Sequence, residues 1–134
     1  MRILVIDDDF TCRVQTKALL SEFGDCDGAS NGRTGLELFK LAHDESHRYD
    51  VVVLDVDMPD MTGLEVLKEL RGWEEQNGHF KEGTAANVIM LSALSDGRTV
   101  MTSFGAGCEV YLVKPLSRSK LQQALKEVGL AQTA

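Results

Sequence analysis

At 134 residues the chain is one domain of ordinary size, and its 43% hydrophobic and 26% charged residues with only two prolines exclude a disordered polypeptide. A formal charge of -7 and the lack of any basic run argue against a surface that neutralises nucleic-acid phosphates. No apolar run approaches the roughly 20 residues of a membrane span, no signal peptide precedes Arg2, and three cysteines (Cys12, Cys26, Cys108) without C-x-x-C spacing read as reduced thiols, so a cytoplasmic setting is expected.

Ile3-Leu4-Val5-Ile6 is a pure apolar run that stops on Asp7-Asp8-Asp9, the pattern of a strand buried on both faces. Asp9 is placed to cap a helix running to about Phe23, with Cys12, Thr16, Leu19, Leu20 and Phe23 on one face and Gly24 closing it. A weaker strand follows from Cys26 to Ala29. Asn31-Gly32 signals a turn, after which Leu36, Leu38, Phe39, Leu41 and Ala42 make a second amphipathic helix. His43 and His47 have zinc-ligand spacing, but Asp44 rather than Glu follows the first His, so there is no protease motif, and they read as solvated cations at a helix C-terminus.

The most informative stretch is Tyr49 to Gly63, YDVVVLDVDMPDMTG. Val51 to Leu54 show no polar alternation, as in a parallel strand covered by helices, and Asp55 sits at that strand's carboxyl end, where open α/β sheets bind ligands. Pro59 ends the strand and Gly63 permits the turn into a third helix carried by Leu64, Leu67 and Leu70 and fading near Gly72. The segment from Gly72 to Asn87 exceeds the usual connection of about 4 to 6 residues and either extends that helix or loops out. Val88 to Leu91 form the next buried strand, stopping at Ser92-Ala93. Ser95 or Asp96 caps a fourth helix with Val100, Met101 and Phe104 inward. Glu109 to Val113 is the last strand and stops at Lys114-Pro115. Ser117 caps a final helix whose Leu121, Ala124, Leu125 and Val128 share a face, ended by Gly129. The order β-α five times over predicts an α/β fold, a doubly wound parallel sheet with right-handed crossovers. Neither a G-x-G-x-x-G nor a G-K-[ST] loop is present to support nucleotide binding.

The residues just past the buried strands are Asp7, Asp8, Asp55, Ser92 and Lys114, all expected at one sheet edge. Neighbouring carboxylates repel and stay ionised only beside a cation or a lysine. A few hard oxygen ligands with room left for water suit Mg²⁺ better than zinc or calcium. A lysine and a small hydroxyl beside that ion are what a phosphoryl group needs. Tyr111 on its own reads as a core strand aromatic more readily than as a switch.

These motifs resemble the receiver domain of two-component response regulators: Asp7-Asp8 after the first strand, Asp55 in VVVLDVDMPDMTG, Ser92-Ala93 in VIMLSA, and Tyr111 with Lys114-Pro115 in VYLVKP. The resemblance runs from residue 2 to about 128, implying a receiver over 1–128, a short tail over 129–134 and no output domain. It implies a flavodoxin-like (βα)5 sheet in the order 2-1-3-4-5 and a CheY-like stand-alone regulator. Asp55 would accept phosphoryl from a sensor histidine kinase or a histidine phosphotransfer protein. Asp8, Asp55 and the backbone carbonyl of Asp57 would ligate Mg²⁺, with Asp7 acting through a water. Lys114 would pair with Asp55 and then with the phosphoryl oxygens, Ser92 would hydrogen-bond the phosphoryl group, and Tyr111 would change rotamer with it. A cis Lys114-Pro115 bond is implied as well. Thr62 stands where the family often has Asp or Asn, and Val110 replaces a frequent acidic residue.

The downstream contact is expected on the face of the fourth predicted helix, the fifth strand and the last helix, roughly Asp96 to Phe104 and Glu109 to Val128, towards a protein target or a phosphorylation-dependent homodimer. Two rival readings are an aspartate-based phosphohydrolase using Asp55-x-Asp57, and a binding module of the same fold that no longer accepts phosphate. Strand alternation and the early Pro59 weigh against the hydrolase.

Overall fold

The computed structural model describes residues 1–93 and 96–130. Five parallel strands, β1 (Arg2–Ile6), β2 (Asp25–Ala29), β3 (Val51–Asp55), β4 (Asn87–Ser92) and β5 (Val110–Val113), form one sheet in the order β2-β1-β3-β4-β5. The flavodoxin-like order expected from the sequence is the observed one. Among the described residues the helices are α1 (Phe10–Leu20), α2 (Gly32–Asp44), α3 (Gly63–Gln76), α4 (His79–Glu82), α5 (Gly97–Gly105) and α6 (Arg118–Glu127). The fourth predicted helix is therefore α5 and the last is α6. No helix among the described residues is long and apolar enough to cross a membrane.

Strand alternation divides the core into two layers. Leu4, Ile6, Val52, Leu54, Val88 and Met90 face α2 and α3, packing on Leu36, Phe39, Val66, Leu67 and Leu70. Ile3, Val5, Val51, Val53, Ile89 and Leu91 face α1 and α6, packing on Leu20, Leu121, Ala124 and Leu125. The three central strands are buried on both faces, which is why their sequences lack polar alternation.

Side-chain caps start five helices: Asp9, Asn31, Thr62, Asp96 and Ser117 each accept a backbone N–H from the first turn. Thr62 and Glu65 form a reciprocal capping box, so the residue that departs from the family pattern serves the start of α3. Ser95, the other candidate cap for α5, lies outside the described residues, as do residues 131–134 of the tail.

Several expected details differ. α1 ends at Leu20 and turns through Ser21, leaving Phe23 outside the helix though still packed on the core. On α2 the buried face is Gly32, Gly35, Leu36, Phe39 and Ala42, and Leu41 is exposed. The segment from Gly72 to Asn87 does both things open to it: α3 continues through Gly72 to Gln76, and a one-turn helix, α4, follows between Gly78 and Gly83. Met101 and Phe104 do not face inward; they are 75% and 47% exposed. The buried residue of α5 is the small Ser103, its hydroxyl bonded to the Thr99 carbonyl, and Ala106 just past the helix packs on the core.

The histidine expectation is also corrected. α2 ends at Asp44, so His47 lies beyond the helix and shares no face with His43. His43 is no solvated cation: its ring lies 4.2 Å from that of His79, 5.1 Å from Trp73 and 4.9 Å from Phe39. Burial first, then the His79 and Arg48 charges, hold its pKa below the ordinary histidine value.

Candidate functional site

Each strand ends where its apolar run ends, and parallel pairing brings those ends to one edge. Asp7 follows β1 and is buried at 1% exposure, with Asp8 beside it at the surface. Asp55 is the last residue of β3, 3% exposed, and Ser92 is the last residue of β4. Tyr111 lies within β5 opposite Met90, half-buried against the α2–α3 layer, and Lys114 follows β5. The Lys114-Pro115 bond is cis, as expected.

The Lys114 ammonium Nζ lies 3.4 Å from Asp55 Oδ1 and 3.7 Å from Asp7 Oδ2. Oxygens of Asp7, Asp8 and Asp55 lie within 4.8 Å of one another. The Asp9 N–H donates to Asp7 Oδ1 at 2.9 Å and the Asp57 N–H donates to Asp55 Oδ1 at 3.1 Å, so the chain turns after β1 and β3 each fix the carboxylate before them. The Ser92 hydroxyl donates to Asp57 Oδ2 at 2.9 Å. Gly63 closes the loop from below: its N–H donates to the Val56 carbonyl at 3.0 Å, and a Cβ there would stand 2.2 Å from the Asp55 carbonyl oxygen. Glycine is required by that close approach of backbone to backbone.

Three formal negative charges thus face one ammonium. Burial first, and the Asp7 charge second, push the Asp55 carboxyl up to about 7 against the pull of Lys114 and the Asp57 N–H. Burial pulls the Lys114 ammonium down, but Asp55 and Asp7 outweigh it and its pKa is raised. Asp7 Oδ2 is buried and accepts no hydrogen bond among the described residues. An under-neutralised set of hard oxygens with one orphaned buried oxygen fits a small divalent cation. Clefts of about 220 Å³ flank the site, one lined by Asp8, Asn31, Pro59 and Met61, the other by Cys12, Thr16, Lys114 and Leu116.

Two neighbours were not visible as site residues in the sequence. Cys12, read only as a helix-face residue, is raised in pKa by burial and by Asp7, against the opposing effect of Lys114. Arg13 donates to the Asp7 backbone carbonyl at 2.8 Å. The available signal was their position in the first turn of the helix that Asp9 starts. A larger omission lies at the other end of the sheet. Arg71 bonds Glu74, the Ala86 and Gly107 carbonyls and both oxygens of Glu109, and the Glu109 carboxylate accepts the Val88 N–H. The acidic group one residue before Val110 is therefore spent on structure.

A family model described as response regulator receiver domain matches residues 3–126. The chain is 30% identical to the chemotaxis protein CheY of Thermotoga maritima over 96% of this chain and 97% of the relative. It is 33% identical to the regulatory protein AtoC of Escherichia coli over 90% of this chain, which spans only 23% of that longer relative. Among solved structures it is similar to a CheX-CheY-BeF3-Mg complex from Borrelia burgdorferi, with a TM-score of 0.78, 29% identity and coverage of 96% of this chain and 88% of that chain.

Proposed function

The chain belongs to the response regulator receiver family, and on that premise we propose that its unit of residues 1–128 accepts a phosphoryl group on Asp55 and signals through contacts that depend on it. The observation that carries this reading is a single carboxylate, buried at the end of the central strand, with an ammonium 3.4 Å away and two further carboxylates beside it. An Asp55 oxygen attacks the phosphorus of a phosphohistidine on a sensor kinase or phosphotransfer protein. The O–P bond forms as the P–N bond breaks, and the bond pair stays with the imidazole, which leaves neutral when its other nitrogen carries a proton.

Lys114 is positioned to follow the charge from Asp55 to the transferred phosphoryl oxygens, and the Asp57 N–H holds Asp55 in line. Mg²⁺, held by Asp8, Asp55 and the backbone carbonyl of Asp57 with Asp7 acting through a water, would neutralise charge on the phosphoryl oxygens. Ser92 would then bond the phosphoryl group and Tyr111 would repack beside it. The exposed Met101 and Phe104 of α5 give the α5–β5–α6 face apolar surface for a protein target or a second phosphorylated copy. The phosphohydrolase reading is disfavoured because the Asp57 carboxylate, its general acid, is engaged by Ser92.

Incubation with acetyl phosphate and Mg²⁺ should add one phosphoryl group by intact mass, and EDTA should prevent it. Asp55→Asn should keep the fold by circular dichroism and gain no mass. Undiminished labelling of that variant, or labelling without a divalent ion, would overturn the proposal.

A further inference from the structure

We infer that the Asp57 side chain is a positioning residue that restrains the Ser92 hydroxyl in the unphosphorylated protein, and so sets how readily the site commits to its phosphorylated arrangement. This inference rests on the phosphoacceptor reading above. In that reading Asp57 contributes only its backbone: the N–H bonds Asp55, and the carbonyl is assigned to the cation. Its side chain is exposed, two residues past the end of β3, where packing makes no demand on it. Yet it accepts the hydroxyl of Ser92, a fully buried residue on the neighbouring strand, at 2.9 Å. That bond joins the β3–α3 loop to the end of β4 across the mouth of the site.

A hydroxyl carries one proton. It cannot donate to the Asp57 carboxylate and to a phosphoryl oxygen on Asp55 at once. Each phosphorylation therefore exchanges one charge-assisted hydrogen bond for another, and the strength of the first is subtracted from the drive towards the second. Bonds of this class shift equilibria by roughly 10-fold or more when buried, and exposure of the carboxylate reduces that, so an effect of about 3- to 20-fold is expected. The Asp57 charge also repels an incoming anion. That second effect does not need Ser92, which makes the two separable.

The test is a double-mutant cycle on beryllofluoride affinity in the presence of Mg²⁺, using wild type, Asp57→Ala, Ser92→Ala and the double variant. Asp57→Ala should tighten binding about 3- to 20-fold when Ser92 is present and less than about 2-fold in the Ser92→Ala background. Asp57→Asn, which keeps an acceptor but not the charge, should fall between wild type and Asp57→Ala. A second readout needs no ligand: in metal-free protein the Ser92 Cβ chemical shift should move in Asp57→Ala and stay near wild type in Asp57→Asn. Equal effects of Asp57→Ala in both backgrounds, weaker binding in that variant, or an unmoved Ser92 Cβ shift would overturn the restraint while leaving the phosphoacceptor reading intact. Failure of the wild type itself to bind beryllofluoride would overturn both.

Discussion

Burial and the facing Asp7 carboxylate raise Asp55 from 3.8 to about 7, so in metal-free protein its ionisation opposes folding. Below pH 3.8 the carboxyl is protonated in folded and unfolded chains alike. Between there and about pH 7 only the unfolded chain releases the proton, so stability falls as pH rises through this window, and the loss is complete above it. In EDTA, Asp55→Asn should match wild type near pH 4 and exceed it by roughly 1 to 4 kcal/mol at pH 8. Urea melts at the two pH values measure this, and superimposable curves at pH 8 would refute it. The residues of this cluster were legible because each one ends or follows an apolar run, and a parallel sheet brings run ends together. The Ser92–Asp57 bond was not, since it depends on how the loop after β3 curves, and no spacing encodes that.

Among the elements, the inserted segment between α3 and β4 is held by charge rather than by apolar periodicity. Glu74, fully buried on α3, accepts Arg71 at 2.7 Å and the Ala86 N–H at 2.7 Å, tying the helix to the start of β4. Glu74→Ala leaves Arg71 short of a partner and the Ala86 N–H unpaired, and should lower stability by about 3 kcal/mol. A denaturant midpoint close to wild type would contradict this. Charged residues at helical spacing read as a solvated face, which is why the sequence pattern let α3 fade near Gly72 when it runs on to Gln76. The rotation of α5 was hidden for the converse reason. Its inward group is the serine Ser103, and the apolar Met101 and Phe104 that drew the assignment face solvent.

For the whole molecule, the proposed signal path leads from the carboxylates through Ser92 on β4 to Tyr111 on the paired strand β5 and out to α5. A phosphoryl group adds about 1.5 to 2 negative charges beside Lys114, and the response must be a differential stabilisation of two arrangements, typically about 1 to 3 kcal/mol. Ser92→Ala and Tyr111→Ala should therefore still accept phosphoryl while losing phosphorylation-dependent binding or dimerisation. Amide exchange with and without beryllofluoride should differ mainly between Ser92 and Lys120, and changes confined to α2 would sink the path. The contact of Gly63 on the Asp55 peptide bears on why the disturbance would travel that way. With backbone seated on backbone and the Gly63 N–H anchored at Val56, α3 acts as a fixed abutment beneath the loop, and there is no compressible side chain between them to absorb displacement. Under the proposed path, a displacement at Asp55 meets backbone on the α3 side, and repacking is left to the side chains of Ser92 on β4 and Tyr111 on β5.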